Sequence, residues 1–309
     1  MTNMKIHISM QSPGKKPIRP PRLEPGDTIG VVAPAGPFDP EEFMQGKTVL
    51  ETMGFRIVYD ESIFQKHGFL AGTDDQRADQ VNRLFADPSV QAIVCARGGY
   101  GSMRILPILD FNTIQTHPKI FVGFSDISAL LTMLYEQCGL VTFHGPMVTS
   151  LAGATQRTIL AMKTALTSDG PLELIPDGGK IIKPGMCSGV LAGGNLTTLC
   201  HLVGTPYSPN FRGKIVLLED VGEMTYRIDR MLTQMKLAGC FNGIAGLILG
   251  AFKKCGQLNE IVEIFDNIFH DTDIPILAGF DIGHGKTNLT VPMGLVATLD
   301  TGKKRLYVA

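Results

Sequence analysis

A serine, a pair of acids and a histidine in this chain each stand just past a run of apolar residues. Together they are the side-chain types that a nucleophile, an orienting carboxylate and a general base require. The serine lies in Lys119-Ile120-Phe121-Val122-Gly123-Phe124-Ser125-Asp126, where the apolar first half reads as a buried strand. Beyond it Ile127, Leu130, Leu131 and Leu134 recur at i, i+3, i+4 and i+7, one face of a helix that ends at Gly139. Ser125 thus falls on the strand-to-helix turn, where a nucleophile elbow presents its hydroxyl beside unpaired amides of a helix N-terminus. The amide of Asp126 is placed to stabilise an oxyanion. The pattern departs from G-x-S-x-G because Ile127 occupies the last position, and this window alone reads better as Ser125 or Asp126 capping a helix. Glu219-Asp220 follows Ile215-Val216-Leu217-Leu218, and His284 lies between Gly283 and Gly285 just past another apolar segment. Alone, the acids could be solvated loop charges or a cap, and the histidine an exposed loop residue. An interdomain triad in the order Ser, Glu, His is the arrangement that uses all three.

The elements that must position these groups alternate. Thr28–Ala33 reads as a buried strand, a helix follows from about Pro40 to Met53, and Phe55–Tyr59 is strand-like. Thr73 and Gln76 form a capping-box pattern for a helix to about Ala86. Val90–Ala96 and Ile120–Phe124 are further buried strands, an alternation that predicts an α/β domain with a parallel sheet. A second unit has strands at Ile215–Leu218, Ile244–Phe252 and Pro275–Phe280, a helix over Thr225–Leu237, and an alternating β-rich finish from Val291 to Val308. The expected organisation is a flexible leader over 1–24, an N-terminal α/β domain carrying the serine over 25–149, and a linker over 150–184. A C-terminal mixed α/β domain carrying Glu219 and His284 completes it over 185–309, with the active site in the cleft between the domains.

Composition removes several function classes. With 28 Lys+Arg against 29 Asp+Glu the 309-residue chain carries a net charge of −1, which argues against nucleic acid as partner. Apolar residues make up 44%, enough for a sizeable core, yet no apolar run reaches the length of a membrane span. Met1–Arg22 is basic, but His7 and Ser9 interrupt its apolar residues, so it lacks a signal peptide's apolar stretch. Six scattered cysteines without C-x-x-C pairs favour a reducing cytoplasm. Gly98-Gly99-Tyr100-Gly101 follows a strand as a dinucleotide loop would, but Arg104 stands where the third glycine is needed. Gly285-Lys286-Thr287 imitates the end of a phosphate loop, but Phe280 replaces the required glycine and the strand-like continuation holds Pro292. The seven histidines form neither an H-E-x-x-H nor an i, i+4 pair, so no metal is expected.

Six blocks in order carry a family resemblance: Gly26–Pro34, Arg97–Gly101, Gly123–Asp126, Gly193–Leu196, Leu218–Glu223, and Gly283-His284 with Asn288 and Pro292. The chain resembles the LD-carboxypeptidases (muramoyltetrapeptide carboxypeptidases), a serine peptidase family that includes the microcin C immunity proteins. The resemblance implies Ser125 as nucleophile, His284 as general base then acid, and Glu219, first off its strand, as the residue orienting the imidazole. It also implies an oxyanion hole from the amides of Asp126 and of the Arg97-Gly98-Gly99 turn, with Gly99 the preferred donor. The substrate it implies is a murein tetrapeptide losing its terminal D-alanine in cytoplasmic peptidoglycan recycling, by a homodimer without cofactor. A substrate carboxylate favours an arginine fork. Arg97 and Arg227 are candidates, with Arg230 one turn on, and Tyr100, Asn195 and His144 are further candidate cleft residues. Two alternatives stay open: hydrolysis of peptidyl or acyl-sulfamoyl adenylates, and a non-catalytic two-domain binding protein.

Overall fold

The computed structural model describes residues 16–309, which form two α/β domains built on two sheets. The N-terminal strands are β1 (Thr28–Val32), β2 (Arg56–Tyr59), β3 (Ala92–Cys95), β4 (Ile120–Gly123) and β5 (Thr142–His144). Later in the chain come β6 (Leu172–Leu174), β7 (Lys180–Lys183), β8 (Met186–Asn195), β9 (Lys214–Val221), β10 (Gly246–Lys253) and β11 (Ile276–Ala278). The last three are β12 (Val291–Met293), β13 (Val296–Asp300) and β14 (Arg305–Val308). The first sheet runs β12-β5-β4-β3-β1-β2 and the second β6-β14-β13-β8-β9-β10-β11-β7. β1 to β5 pair in parallel, as do β8 to β11, so both sheet centres have one set of carboxyl ends. In open parallel sheets that is where functional loops collect.

Local signals explain the elements between. Thr73 and Gln76 exchange the two hydrogen bonds of a capping box at the start of the helix Asp74–Ala86. Asp39 caps the helix Pro40–Thr52, with proline in its first turn where no amide partner is lost. The helix Ser128–Cys138 is more enclosed than its one-face apolar spacing predicts. Ser128 through Leu134 are all buried, so its first two turns are covered on every side. It lies between the two sheets, and one apolar cluster runs through it from Phe121 in β4 to Val216 and Leu218 in β9. The two domains therefore share a core.

Three expectations about organisation need correction. Residues 1–15 of the expected leader lie outside the described residues, but 16–24 are packed and not flexible. The Ile18 amide donates to the Gly139 carbonyl, the Val141 amide donates to the Ile18 carbonyl, and Leu23 is buried. The stretch 150–184 is divided between the domains instead of linking them freely. Its helix Gln156–Thr167 buries Met162 and Leu166 in the N-terminal core, while β6 and β7 form the opposite edges of the second sheet. The β-rich finish is also split, because β12 crosses over and pairs antiparallel with β5, with Val291 opposite His144.

Packing leaves no room at Gly46, whose added Cβ would overlap the Val148 carbonyl oxygen of the helix Val148–Leu151. Helix propensity alone would favour alanine there by about 1 kcal/mol. Overpacking against backbone outweighs it, so Gly46→Ala is expected to destabilise the protein by about 2 kcal/mol in urea unfolding. Unchanged or increased stability would contradict this packing.

Candidate active site

Ser125 follows β4 directly and begins a short turn of 3₁₀ helix ahead of Ser128–Cys138. Its φ is 62°, a left-handed conformation that a β-substituted residue adopts only under constraint. The constraint comes from both sides of the turn. The Asp126 carboxylate accepts from the Ser102 amide at 2.8 Å, and the Ser102 hydroxyl donates to the Asp126 carbonyl at 2.5 Å. Asp126 is buried, and its burial raises the carboxyl pKa above the ordinary value despite these bonds. The serine turn is thereby tied to the neighbouring turn, Arg97–Gly101.

That neighbouring turn approaches the serine at Gly98. A Cβ on Gly98 would stand 3.1 Å from the Ser125 Cβ and 3.3 Å from its Oγ, so a side chain there would crowd the serine. Gly99, with φ 104°, faces Gly36 and the Arg97 guanidinium instead. Beneath the turn, the buried Arg77 donates to the carbonyls of Pro34 and Gly101 and pairs with Asp74. Sequence reasoning did not single out Arg77. Its one local signal is Asp74 three residues earlier on the same helix face.

Glu219 lies near the carboxyl end of β9 at the centre of the second sheet, opposite Asn195 in the last residue pair of the β8–β9 register, and is 0% exposed. Its Oε2 accepts from the His284 Nδ1 at 2.6 Å and from the His284 backbone amide at 3.2 Å. With a carboxylate oxygen as its partner Nδ1 is the donor of this bond, which leaves Nε2 as the ring nitrogen free to serve as a general base. Gly283, with φ 96°, makes this possible, because a Cβ there would overlap the Glu219 carboxylate. Asn288 holds the loop by accepting from the Gly283 amide at 2.8 Å. The His284 ring lies 4.8 Å from the ring of Phe124, the residue before the serine. Among the described residues the Ser125 hydroxyl takes no hydrogen-bond partner. Such nucleophile–base contacts often close only when substrate binds.

Asp220 and Glu223, the other acids of the block, are engaged elsewhere. Asp220 is buried and accepts from Asn195 Nδ2, from the Thr197 amide and hydroxyl, and from the Val221 amide. Burial raises its pKa. Glu223 pairs with Arg227 on the surface. Asn195 faces inward, capping the helix Leu196–Leu202 through Thr198, while its amide N–H contacts the Ser128 hydroxyl across the domains at 2.9 Å. Arg97 donates to the Pro37 carbonyl at 2.7 Å, and Arg227 bonds the Tyr226 hydroxyl at 3.3 Å. Arg230 lies over the ring of Tyr226. Tyr100 is half exposed and packs with its ring tilted against Phe69, an exposed aromatic absent from the sequence argument. Among the described residues no group of three or more His, Cys, Asp or Glu is placed to hold a metal ion, and no helix is long and apolar enough to cross a membrane.

Comparison with known proteins decides the family. A model of the LD-carboxypeptidase N-terminal domain matches residues 29–145, and one of the C-terminal domain matches 188–299. The chain belongs to the LD-carboxypeptidase family. It is 36% identical over 304 residues to the probable murein peptide carboxypeptidase of Bacillus subtilis strain 168, covering 94% of each chain. Among solved structures, an MccF-like protein from Bacillus anthracis strain Ames matches with TM-score 0.89 and 28% identity, covering 94% of this chain and 99% of that one. The muramoyltetrapeptide carboxypeptidase from Oxalobacter formigenes matches with TM-score 0.81 and 27% identity, covering 91% and 97%. The family's two domains are thus the two halves that supply Ser125 and the Glu219–His284 pair.

His144 at the end of β5 is fully buried, and burial lowers its pKa to about 4, with nearby His284 adding to the effect and Glu219 opposing it. Unfolded, the imidazole regains a pKa near 6.5 and binds a proton that the folded state refuses. Its contribution to stability is therefore complete above about pH 6.5 and is lost as the pH falls toward 4. From pH 7 to 5 this group should cost about 2 kcal/mol, read as the difference in urea unfolding between the protein and His144→Gln. Equal pH dependence in both would contradict the burial. Strain at Ser125 gives a second test, since Ser125→Gly should stabilise the fold by about 1 kcal/mol. A loss of stability there would mean the left-handed turn carries no strain.

Proposed function

We propose that the protein is a serine peptidase that hydrolyses the L,D-peptide bond releasing the terminal D-alanine of murein tetrapeptides. The observation that carries this reading is the 2.6 Å bond from His284 to a carboxylate sealed from solvent, with the imidazole 4.8 Å from the ring of Phe124, the residue before a serine in a strained turn. The family and the murein peptide carboxypeptidases among its relatives support the substrate. A cytoplasmic setting in peptidoglycan recycling, a homodimeric state and the absence of a cofactor belong to the same reading through the family.

In this mechanism Ser125 Oγ attacks the carbonyl carbon of the diamino acid while His284 Nε2 takes the hydroxyl proton. Glu219, fixed on Nδ1–H, stabilises the imidazolium so formed. The carbonyl electrons move to oxygen, where the Asp126 amide and an amide of the Arg97–Gly99 turn receive the charge. The C–N bond then breaks as His284 returns its proton to the leaving amine, and D-alanine departs from an acyl-Ser125 ester. Water, deprotonated by His284, attacks that ester and restores the serine. The arginines Arg97 and Arg227 and the exposed Tyr100 stand as substrate-binding candidates, whereas Asn195, expected among them, has its side chain engaged by Thr198 and Asp220.

A second reading is hydrolysis of peptidyl or acyl-sulfamoyl adenylates, favoured by the likeness to the MccF-like structure. The exposed Phe69–Tyr100 pair, with ring centroids 5.7 Å apart, offers a surface on which an adenine could stack. Mass spectrometry of L-Ala-γ-D-Glu-meso-diaminopimelyl-D-Ala incubated with the protein separates the two. Loss of one alanine by the wild type is expected, with kcat reduced on the order of 10⁶-fold in Ser125→Ala and about 10⁴-fold in Glu219→Gln. An intact tetrapeptide alongside cleaved aspartyl-sulfamoyl adenosine would replace the first reading with the second. Equal losses in the two variants would count against a purely orienting Glu219.

A further inference from the structure

His284 borders a cavity of about 430 Å³ whose wall is formed in part by Phe124, Pro146, Ala154, Lys253 and Lys286. No carboxylate lines it, and neither lysine ammonium takes a partner among the described residues. Asn288, nine-tenths buried in the same wall, has a side-chain Nδ2 with no hydrogen-bond partner in the protein. The cavity therefore combines a catalytic-base candidate, two uncompensated positive charges and an apolar flank. Neither Arg97 nor Arg227, the expected anchors for a carboxylate, belongs to its lining.

We infer that this cavity is the subsite for the residue released from the substrate, with Lys253 and Lys286 binding its C-terminal carboxylate. The inference rests on the peptidase reading of Ser125, His284 and Glu219 and adds the site's basis for choosing a free chain end. A base that must hand its proton to the leaving amine has to stand next to the leaving residue, so that residue is on the His284 side of the scissile bond. In a carboxypeptidase the leaving residue carries a carboxylate one carbon from that amine. Ammonium groups answer it as point charges and tolerate several orientations, as a shallow chain-end site requires. Phe124, Pro146 and Ala154 offer apolar contact for the small side chain of an alanine. A continuing peptide chain would put a neutral amide before both lysines and lose those charge-assisted bonds.

The test compares the tetrapeptide acid with its C-terminal amide as substrates for the full chain and for Lys253→Met, Lys286→Met and Lys286→Arg. The wild type should prefer the acid. Each methionine variant should lower the acid-to-amide ratio of kcat/KM about tenfold, mainly through KM on the acid, the scale of one charged hydrogen bond. Lys286→Arg should keep most of the preference, a rescue that a merely structural role would not produce. A preference that survives in both methionine variants would overturn the inference, because the carboxylate would then be bound elsewhere. Release of neither alanine from the acid nor alaninamide from the amide by the wild type would instead refute the peptidase reading itself, whatever the lysines do.

Discussion

Glu219 has no exposed surface, and both hydrogen bonds to its Oε2 come from one residue, His284. Burying a carboxylate is costly unless partners are held in place, and losing one partner leaves the charge stranded. Much of the surrounding architecture answers that constraint. Glu219 stands on an interior strand flanked by parallel neighbours on both sides, which fixes its backbone. Gly283 removes the side chain that would collide with it, and Asn288 holds the loop in register. The imidazole is thereby oriented through Nδ1, with its ring 4.8 Å from and tilted against that of Phe124, the residue before the serine.

The same constraint explains why the chain crosses between sheets near its end. The segment bearing His284 leaves β11 in the second sheet and enters β12 in the first, so it is tied at both ends. β12 pairs with β5, which in turn pairs with β4, the strand leading to Ser125. His284 and Ser125 are thus referred to one sheet, while Glu219 comes from the other. The shared apolar cluster through Ser128–Cys138 and the Asn195–Ser128 hydrogen bond keep the two sheets in register. The geometry of the site depends on that interface as much as on either domain.

Much of the fold was legible because its signals are local. The capping box at Thr73, the helix over Thr225–Leu237 and the apolar runs of β1, β3, β4 and β9 are each contained in a few residues. Ser125, Glu219 and His284 could be singled out for the same reason, since each comes after an apolar run, although Glu219, expected just past its strand, is still inside β9, which continues to Val221. What the sequence concealed is long-range. Val291–Met293 reads as a strand, but nothing in it says which sheet it joins. Leu130 and its neighbours predict one buried face, and only the second sheet covers the others. Leu23 and Ile18, amid prolines and basic residues, read as a leader because their partners near Gly139 and Leu166 are more than a hundred residues away. Arg77 looks like a helix surface residue until the carbonyls of Pro34 and Gly101 surround it. Lys253 and Lys286 gain meaning only when the fold puts them beside His284.

The central claim is that Ser125 is a nucleophile activated by His284 across the domain boundary. Intact-protein mass spectrometry after exposure to a fluorophosphonate, followed by peptide mapping, tests it most directly. The account predicts one adduct per chain, on Ser125, and its disappearance in His284→Ala under the same exposure. No adduct on the wild type, or an adduct that forms equally well without the imidazole, would contradict it.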